Sequence, residues 1–166
     1  MATGPLVSVR EYLSTSYRPD CEYVDGVVLK RNLGEYDHGR LQRELIVYFH
    51  ARRKKWGLCV VPEQRIQVSA TRFRVPDVCL TLGEPREQIL HTPPFICIEI
   101  LSPEDRLAAM RQRMEDFLAF GVPYVYVLDP ATQQAWRCTL GGGMQEVAEL
   151  RTENPATVVP VRDLFE

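Results

Sequence analysis

The order of apolar and polar residues divides the chain into stretches of helical and of strand-like spacing. Residues 8–16 open on Ser8-Val-Arg-Glu11, a capping-box pattern followed by Tyr12 and Leu13, and predict a short helix. Residues 21–29 hold two short apolar runs on either side of Asp25-Gly26, a two-residue hairpin turn. From residue 35 to 56 the spacing becomes helical. Leu41, Leu45, Tyr48, Phe49, Arg52 and Trp56 share one stripe, His38 lies on the same side, and Gly57 supplies the stop. Residues 58–61, 65–68 and 78–82 read as strands, the last entered through Arg72-Phe-Arg-Val-Pro-Asp77. A loop over 83–94 leads into the apolar run of residues 95–103. Residues 104–121 predict a second long helix, with Leu107, Met110, Met114, Phe117 and Leu118 as its apolar stripe. Glu104 and Asp105 suit its positive end, and Gly121 its close. Residues 124–128 form a further buried strand. Residues 134–140 and 144–150 flank Gly141-Gly-Gly143 as a terminal hairpin, and a short apolar piece over 157–161 and a last turn at 163–165 complete the chain.

These elements predict one domain over residues 1–166 of the α/β (α+β) class: a mixed β-sheet core flanked by helices, with hairpins near both ends. Composition changes this picture little. The net charge of −2 gives no global attraction to nucleic acid or to an anionic membrane, so any phosphate binding must be local or carried by bound cations. No apolar run reaches the roughly 20 residues that span a bilayer. The first residues have neither the basic region nor the apolar core of a signal peptide. Cytoplasmic location with no membrane partner is therefore expected. The five cysteines, Cys21, Cys59, Cys79, Cys97 and Cys138, are widely spaced without a Cys-x-x-Cys pair, and read as small buried hydrophobes in a reducing compartment.

The chemistry starts at Glu99. It is the one carboxylate in the run Phe95-Ile-Cys-Ile-Glu-Ile-Leu-Ser-Pro103, a strand apolar enough to be buried on both faces. An unpaired ionised carboxylate there would cost several kcal/mol or more. An arginine or lysine, a metal ion or a retained proton must compensate it. Consecutive strands usually pair antiparallel, which brings Asp77, at the mouth of the preceding strand, beside Glu99. Two neighbouring carboxylates are well stabilised by an oxygen-bound divalent cation such as Mg²⁺ or Mn²⁺. Leu101 shares the face of Glu99.

Val75-Pro-Asp77, Ile98-Glu-Ile-Leu-Ser-Pro103, a helix ending in Phe117-x-x-x-Gly-Val122, and Tyr126-Val-Leu-Asp-Pro130 together resemble the Uma2 family, also called DUF820, of PD-(D/E)xK restriction-endonuclease-like proteins. Glu22-Tyr-Val-Asp-Gly26 and His38 at the start of a long helix are similar to that family's N-terminal half. The resemblance implies a restriction-endonuclease-like fold and divalent-metal-dependent phosphodiester hydrolysis, with DNA as substrate. It also implies Asp77 and Glu99 as metal ligands for Mg²⁺ or Mn²⁺, and a homodimer, for which the edge of the terminal hairpin offers a pairing surface. Two departures stand out. The superfamily's lysine two residues after the acidic position is here Leu101. The lysine and the aspartate that Uma2-like chains carry in the following helix are Arg113 and Ala109. Lys30, Lys54 and Lys55 are the chain's only lysines, so none follows Glu99.

Arg113 falls at the margin of its helix stripe and can point at the Glu99 strand. Always protonated, it can clamp a phosphate or bridge Glu99, but cannot act as a base. Two readings stay open: an endonuclease with Asp77, Glu99 and Arg113 as its site, or a nuclease fold whose chemistry has lapsed and which serves as a binding domain. Of the remaining polar residues, His38 reads as a hydrogen-bonded structural residue ahead of a base, and Glu44 as solvated or paired to an arginine ahead of an outer acidic group of the site. Glu22 and Asp25 read as turn and surface residues, His50 and His91 have no evident partner, and the run 52–55 complements the helix dipole, with a phosphate-contacting patch as the alternative.

Overall fold

The structure, a computed structural model, describes residues 5–32 and 34–166. Helix α1 (Val9–Ser14) is capped by Ser8, whose hydroxyl accepts from the Glu11 N–H at 3.1 Å. Strands β1 (Cys21–Val24) and β2 (Val27–Lys30) form the opening hairpin. Its turn holds Asp25 at φ 49° and Gly26 at φ 94°, left-handed conformations that glycine and aspartate tolerate. Helix α2 (Tyr36–Trp56) ends on Gly57, also left-handed at φ 67°. The two short strands β4 (Ile66–Ser69) and β5 (Arg72–Arg74) join the hairpin in a four-stranded sheet of order β2-β1-β5-β4. Ile66–Ser69 and Arg72–Arg74 thus belong to this smaller sheet and stand apart from the mixed core sheet. Its core, Tyr12, Tyr23 and Phe73, packs aromatic rings against α1.

The main sheet has six strands. Beyond β3 (Leu58–Pro62), β6 (Val78–Leu82) and β7 (Ile96–Ile100) it contains β8 (Tyr124–Asp129), β9 (Gln134–Thr139) and β10 (Gly143–Glu146), in the order β10-β9-β8-β7-β6-β3. Strands β6 and β7 pair antiparallel, Val78 opposite Ile98, as expected of consecutive strands. Strands β7 and β8 run parallel, and the crossover between them is α3 (Leu107–Phe120), because parallel neighbours need a long connection. All five residues of β7 are buried. Ile96, Ile98 and Ile100 face α2 in a cluster with Leu41, Leu45 and Phe49, while Cys97 joins Met110, Met114 and Phe117 of α3 on the other face. By the two-residue period of a strand, Glu99 turns toward the α3 side.

Two boundaries differ from expectation. Helix α3 starts at Leu107 instead of Glu104. The Asp105 carboxylate accepts the Ser102 N–H at 2.7 Å, which holds residues 102–105 in a turn and keeps Asp105 out of the helix. The predicted strand over 144–150 divides into β10 and β11 (Glu149–Thr152), and β11 forms a second small hairpin with β12 (Thr157–Pro160), followed by a 3₁₀ turn at Val161–Leu164.

Candidate functional site

Asp77 precedes β6 and Glu99 lies near the end of β7, so the antiparallel register places both at one end of the sheet. Both carboxylates are nearly sealed from solvent, Asp77 at 7% and Glu99 at 5% side-chain exposure. The Ile100 N–H, next along the chain from Glu99, donates to Asp77 Oδ2 at 2.8 Å and ties the two positions together. Arg31, from the segment after β2, donates to Asp77 Oδ1 at 2.9 Å and also reaches Glu63 at 3.1 Å. His38, in the first turn of α2, brings Nε2 to 3.3 Å from Asp77 Oδ2. Burial by itself raises the Asp77 pKa, but the hydrogen bond and charge of His38, the Ile100 N–H and Arg31 outweigh it and hold Asp77 below the usual carboxylate range. Reciprocally, the hydrogen bond to Asp77 raises His38 above its ordinary value against the opposing effect of burial.

Glu99 is held differently. Arg113, from the second turn of α3, donates to Glu99 Oε2 at 3.1 Å and through its other nitrogen to Asp105 at 3.1 Å. Glu99 Oε1 is buried with no hydrogen-bond partner among the described residues. Burial pushes the Glu99 carboxyl well above the usual range; Arg113 pulls it back, while the charges of Asp77 and Glu22 push it further. Leu101, where the superfamily places its lysine, is half-buried and packs into the α3 cluster. Among the described residues no three side chains of His, Cys, Asp or Glu converge at metal-binding spacing.

The structure therefore brings Asp77, Glu99 and Arg113 into one neighbourhood and adds His38 to it. Glu44 stays outside, paired to exposed Arg43. Arg52 stacks over the Tyr48 ring at 3.6 Å, a cation–π contact, and donates to the Tyr48 carbonyl at 3.1 Å, while Arg53, Lys54 and Lys55 lie in the last turn of α2. His91 lies 3.5 Å from Glu87 on the surface. One expectation is overturned: Glu22 is a buried residue. Its Oε1 accepts the Val75 N–H at 3.0 Å, and its Oε2 accepts from Arg74 at 2.8 Å. Arg74 in turn grips Asp116 of α3 at 2.6 Å, and Arg72 binds Asp116 and Asp25. This buried network ties the small sheet to α3 one turn beyond Arg113. Arg31, Arg74 and Asp116 were missed from sequence. The alternation Arg72-Phe-Arg74, which sets two guanidiniums on one face opposite a core phenylalanine, was the available signal that acids must lie across from them.

Asp77 and Glu99 thus sit at one end of adjoining strands in a mixed sheet with helices on both faces. The model of the Uma2 family, described as "Putative restriction endonuclease", matches residues 9–166, and the chain belongs to that family. It is similar in structure to a protein from Anabaena variabilis ATCC 29413, whose crystal structure is described as that of "a putative nuclease belonging to DUF820". The two share 20% identity and a TM-score of 0.81 over 96% of this chain and 97% of that one, which shows a common fold. No curated protein matches this sequence.

Proposed function

We propose that this protein hydrolyses phosphodiester bonds in DNA with the help of a divalent cation, Mg²⁺ or Mn²⁺, held by Asp77 and Glu99. The observation that carries the reading is Glu99 Oε1, a buried carboxylate oxygen without a hydrogen-bond partner among the described residues, next to a second carboxylate kept ionised. Such an atom costs free energy unless a ligand uses it. Two carboxylates without a third fit Mg²⁺, which is commonly bound by one or two acids together with substrate phosphate. A cation there supplies Lewis-acid polarisation of the phosphate and acidifies water.

The protein's own residues have separate tasks. His38, Arg31 and the Ile100 N–H hold Asp77 charged and fixed. Arg113, permanently protonated, stabilises negative charge gathering on the phosphate and takes no proton. With Leu101 apolar and no lysine after Glu99, proton removal from the attacking water falls to solvent or to the substrate. One folded unit over residues 1–166, cytoplasmic location, which fits five free cysteines, and a homodimer paired through the outer strand β10 belong to the same reading.

A specific observation favours a second reading. Glu99 is bridged by Arg113 and Asp77 by Arg31, so side-chain cations already balance both carboxylates, as in a binding domain whose chemistry has lapsed. Calorimetric titration with Mn²⁺ separates the two. The nuclease reading expects binding to the wild type that is lost in Asp77→Ala and Glu99→Ala, with nicking of supercoiled plasmid abolished by chelator and by Glu99→Gln. Absence of Mn²⁺ binding to the wild type overturns it.

A further inference from the structure

Between the β1–β2 hairpin and the first turns of α3 lies a cleft of about 360 Å³. Val24, Leu29 and Ala109 give its lining apolar surface, and Lys30, Arg106 and Arg113 give it positive charge. Three carboxylates line it as well: Glu22 is bound to Arg74 and Asp105 to Arg113, while Glu104 is exposed. Lys30 and Arg106 are exposed, and among the described residues neither takes part in an ion pair. Arg113 is shared: one side lines the cleft, and its NH1 donates to Glu99. Arg113 thus stands between the cleft and Glu99, while neither Glu99 nor Asp77 lines the cleft itself.

Burial restricts what can use this cleft. With Glu99 at 5% and Asp77 at 7% side-chain exposure, a phosphate must leave the protein surface to approach them. The backbone of an intact duplex is stiff and keeps its bases stacked inward, so its phosphates stay on the outside of a wide cylinder. An unpaired strand has no such restriction. Its base can turn aside into a pocket and draw the adjoining phosphate inward without the unpairing and unstacking cost, on the order of a few kcal/mol, that a duplex nucleotide meets first. A volume of about 360 Å³ lies in the ordinary range of small-ligand sites and suits one nucleoside; a double helix does not enter it. The chain's net charge of −2 supplies no general attraction, so the local cations must do the steering.

We propose that this cleft takes one nucleotide of an unpaired DNA strand, with base and sugar against Val24, Leu29 and Ala109 and the flanking phosphates on Lys30, Arg106 and Arg113. The proposal deepens the nuclease reading by naming the substrate class, and it rests on that reading for the cleavage that would follow. No aromatic ring lines the cleft, so the base packs against aliphatic side chains without ring stacking.

Fluorescence anisotropy in the presence of EDTA tests binding by itself, using a short labelled single strand and the blunt duplex of the same sequence. The chelator silences cation-dependent cleavage, so failure of the nuclease reading leaves this measurement untouched. The single strand is expected to bind about tenfold tighter than the duplex or better, a difference of about 1.4 kcal/mol. Ala109→Trp, a change on the exposed face of α3 that fills the cleft and removes no charge, is expected to abolish that preference without changing the melting temperature. Lys30→Ala and Arg106→Ala are each expected to lower the slope of log K against log salt by about 0.7. Duplex bound as tightly as single strand, or single-strand affinity unchanged in a folded Ala109→Trp, overturns the proposal, as do salt slopes unaltered in both charge variants.

Discussion

Removing the Asp116 side chain is expected to be among the most destabilising single changes in this protein, although the residue never touches the carboxylate site. Asp116 accepts from Arg72 at 2.8 Å, from Arg74 Nε at 2.8 Å and from Gln112 at 3.2 Å, and its Oδ2 also lies 2.6 Å from Arg74 NH2. The Arg74 side chain is 4% exposed and Asp116 7%, so water cannot replace the lost carboxylate. Asp116→Ala leaves Arg74 with Glu22 alone and Arg72 with Asp25 alone. Breaking a buried ion pair by deleting one partner typically costs about 3–5 kcal/mol, and here Arg74 would keep only Glu22 to balance its charge in the interior. For a chain of this size 1 kcal/mol moves the melting temperature by roughly 2–4 °C, which makes the expected fall about 6–20 °C. Urea unfolding followed by tryptophan fluorescence measures the loss directly, with Arg43→Ala as a control. Arg43 is 62% exposed and pairs only with Glu44, so its removal is expected to cost no more than about 0.5 kcal/mol. A loss below about 1 kcal/mol for Asp116→Ala, or one equal to the control, would refute the claim that this network fastens α3 to the small sheet. Because Asp116 lies one turn from Arg113, the same variant is also expected to loosen the contact of Arg113 with Glu99.

Two further outcomes follow from the site's electrostatics. The Glu99 pKa is raised in the folded protein, so the folded state binds its proton more readily and ionisation works against folding. The wild type should lose stability as pH rises above the ordinary glutamate value of about 4.3 toward the folded value. Glu99→Gln should then be the more stable protein at pH 8 in EDTA, with the gap closing near pH 4.5; a variant clearly less stable at pH 8 would show that the Arg113 bridge outweighs burial. His38 has a raised pKa through its bond to Asp77, so its contribution is fully present below the ordinary histidine value of about 6.5 and is lost as pH rises through the folded value. His38→Gln should flatten the fall in urea midpoint over that window, and an unchanged pH profile would sink the assignment.

Much of the fold was legible in the chain itself, because hydrophobic periodicity reports which side of an element meets the core. The stripe Leu41, Leu45, Phe49 and the stripe Met110, Met114, Phe117 each mark a helix, and both face opposite sides of β7 as spacing requires. Asp25-Gly26 marked the hairpin, and the antiparallel pairing of consecutive strands brought Asp77 to Glu99. These are local properties, decided by residues a few positions apart. What only the tertiary structure decided was the pairing of charges over long separations. Arg31 meets Asp77 across 46 positions, and Arg74 meets Glu22 across 52. No periodicity carries such partnerships, since any of the chain's many arginines satisfies the local pattern equally well. Glu22 could therefore be mistaken for a surface residue, while tertiary packing makes it the buried anchor of Arg74. Glu99 was recognisable from sequence as a charge that needs compensation. The folded chain gives Arg113 to one of its oxygens and leaves the other without a hydrogen-bond partner among the described residues.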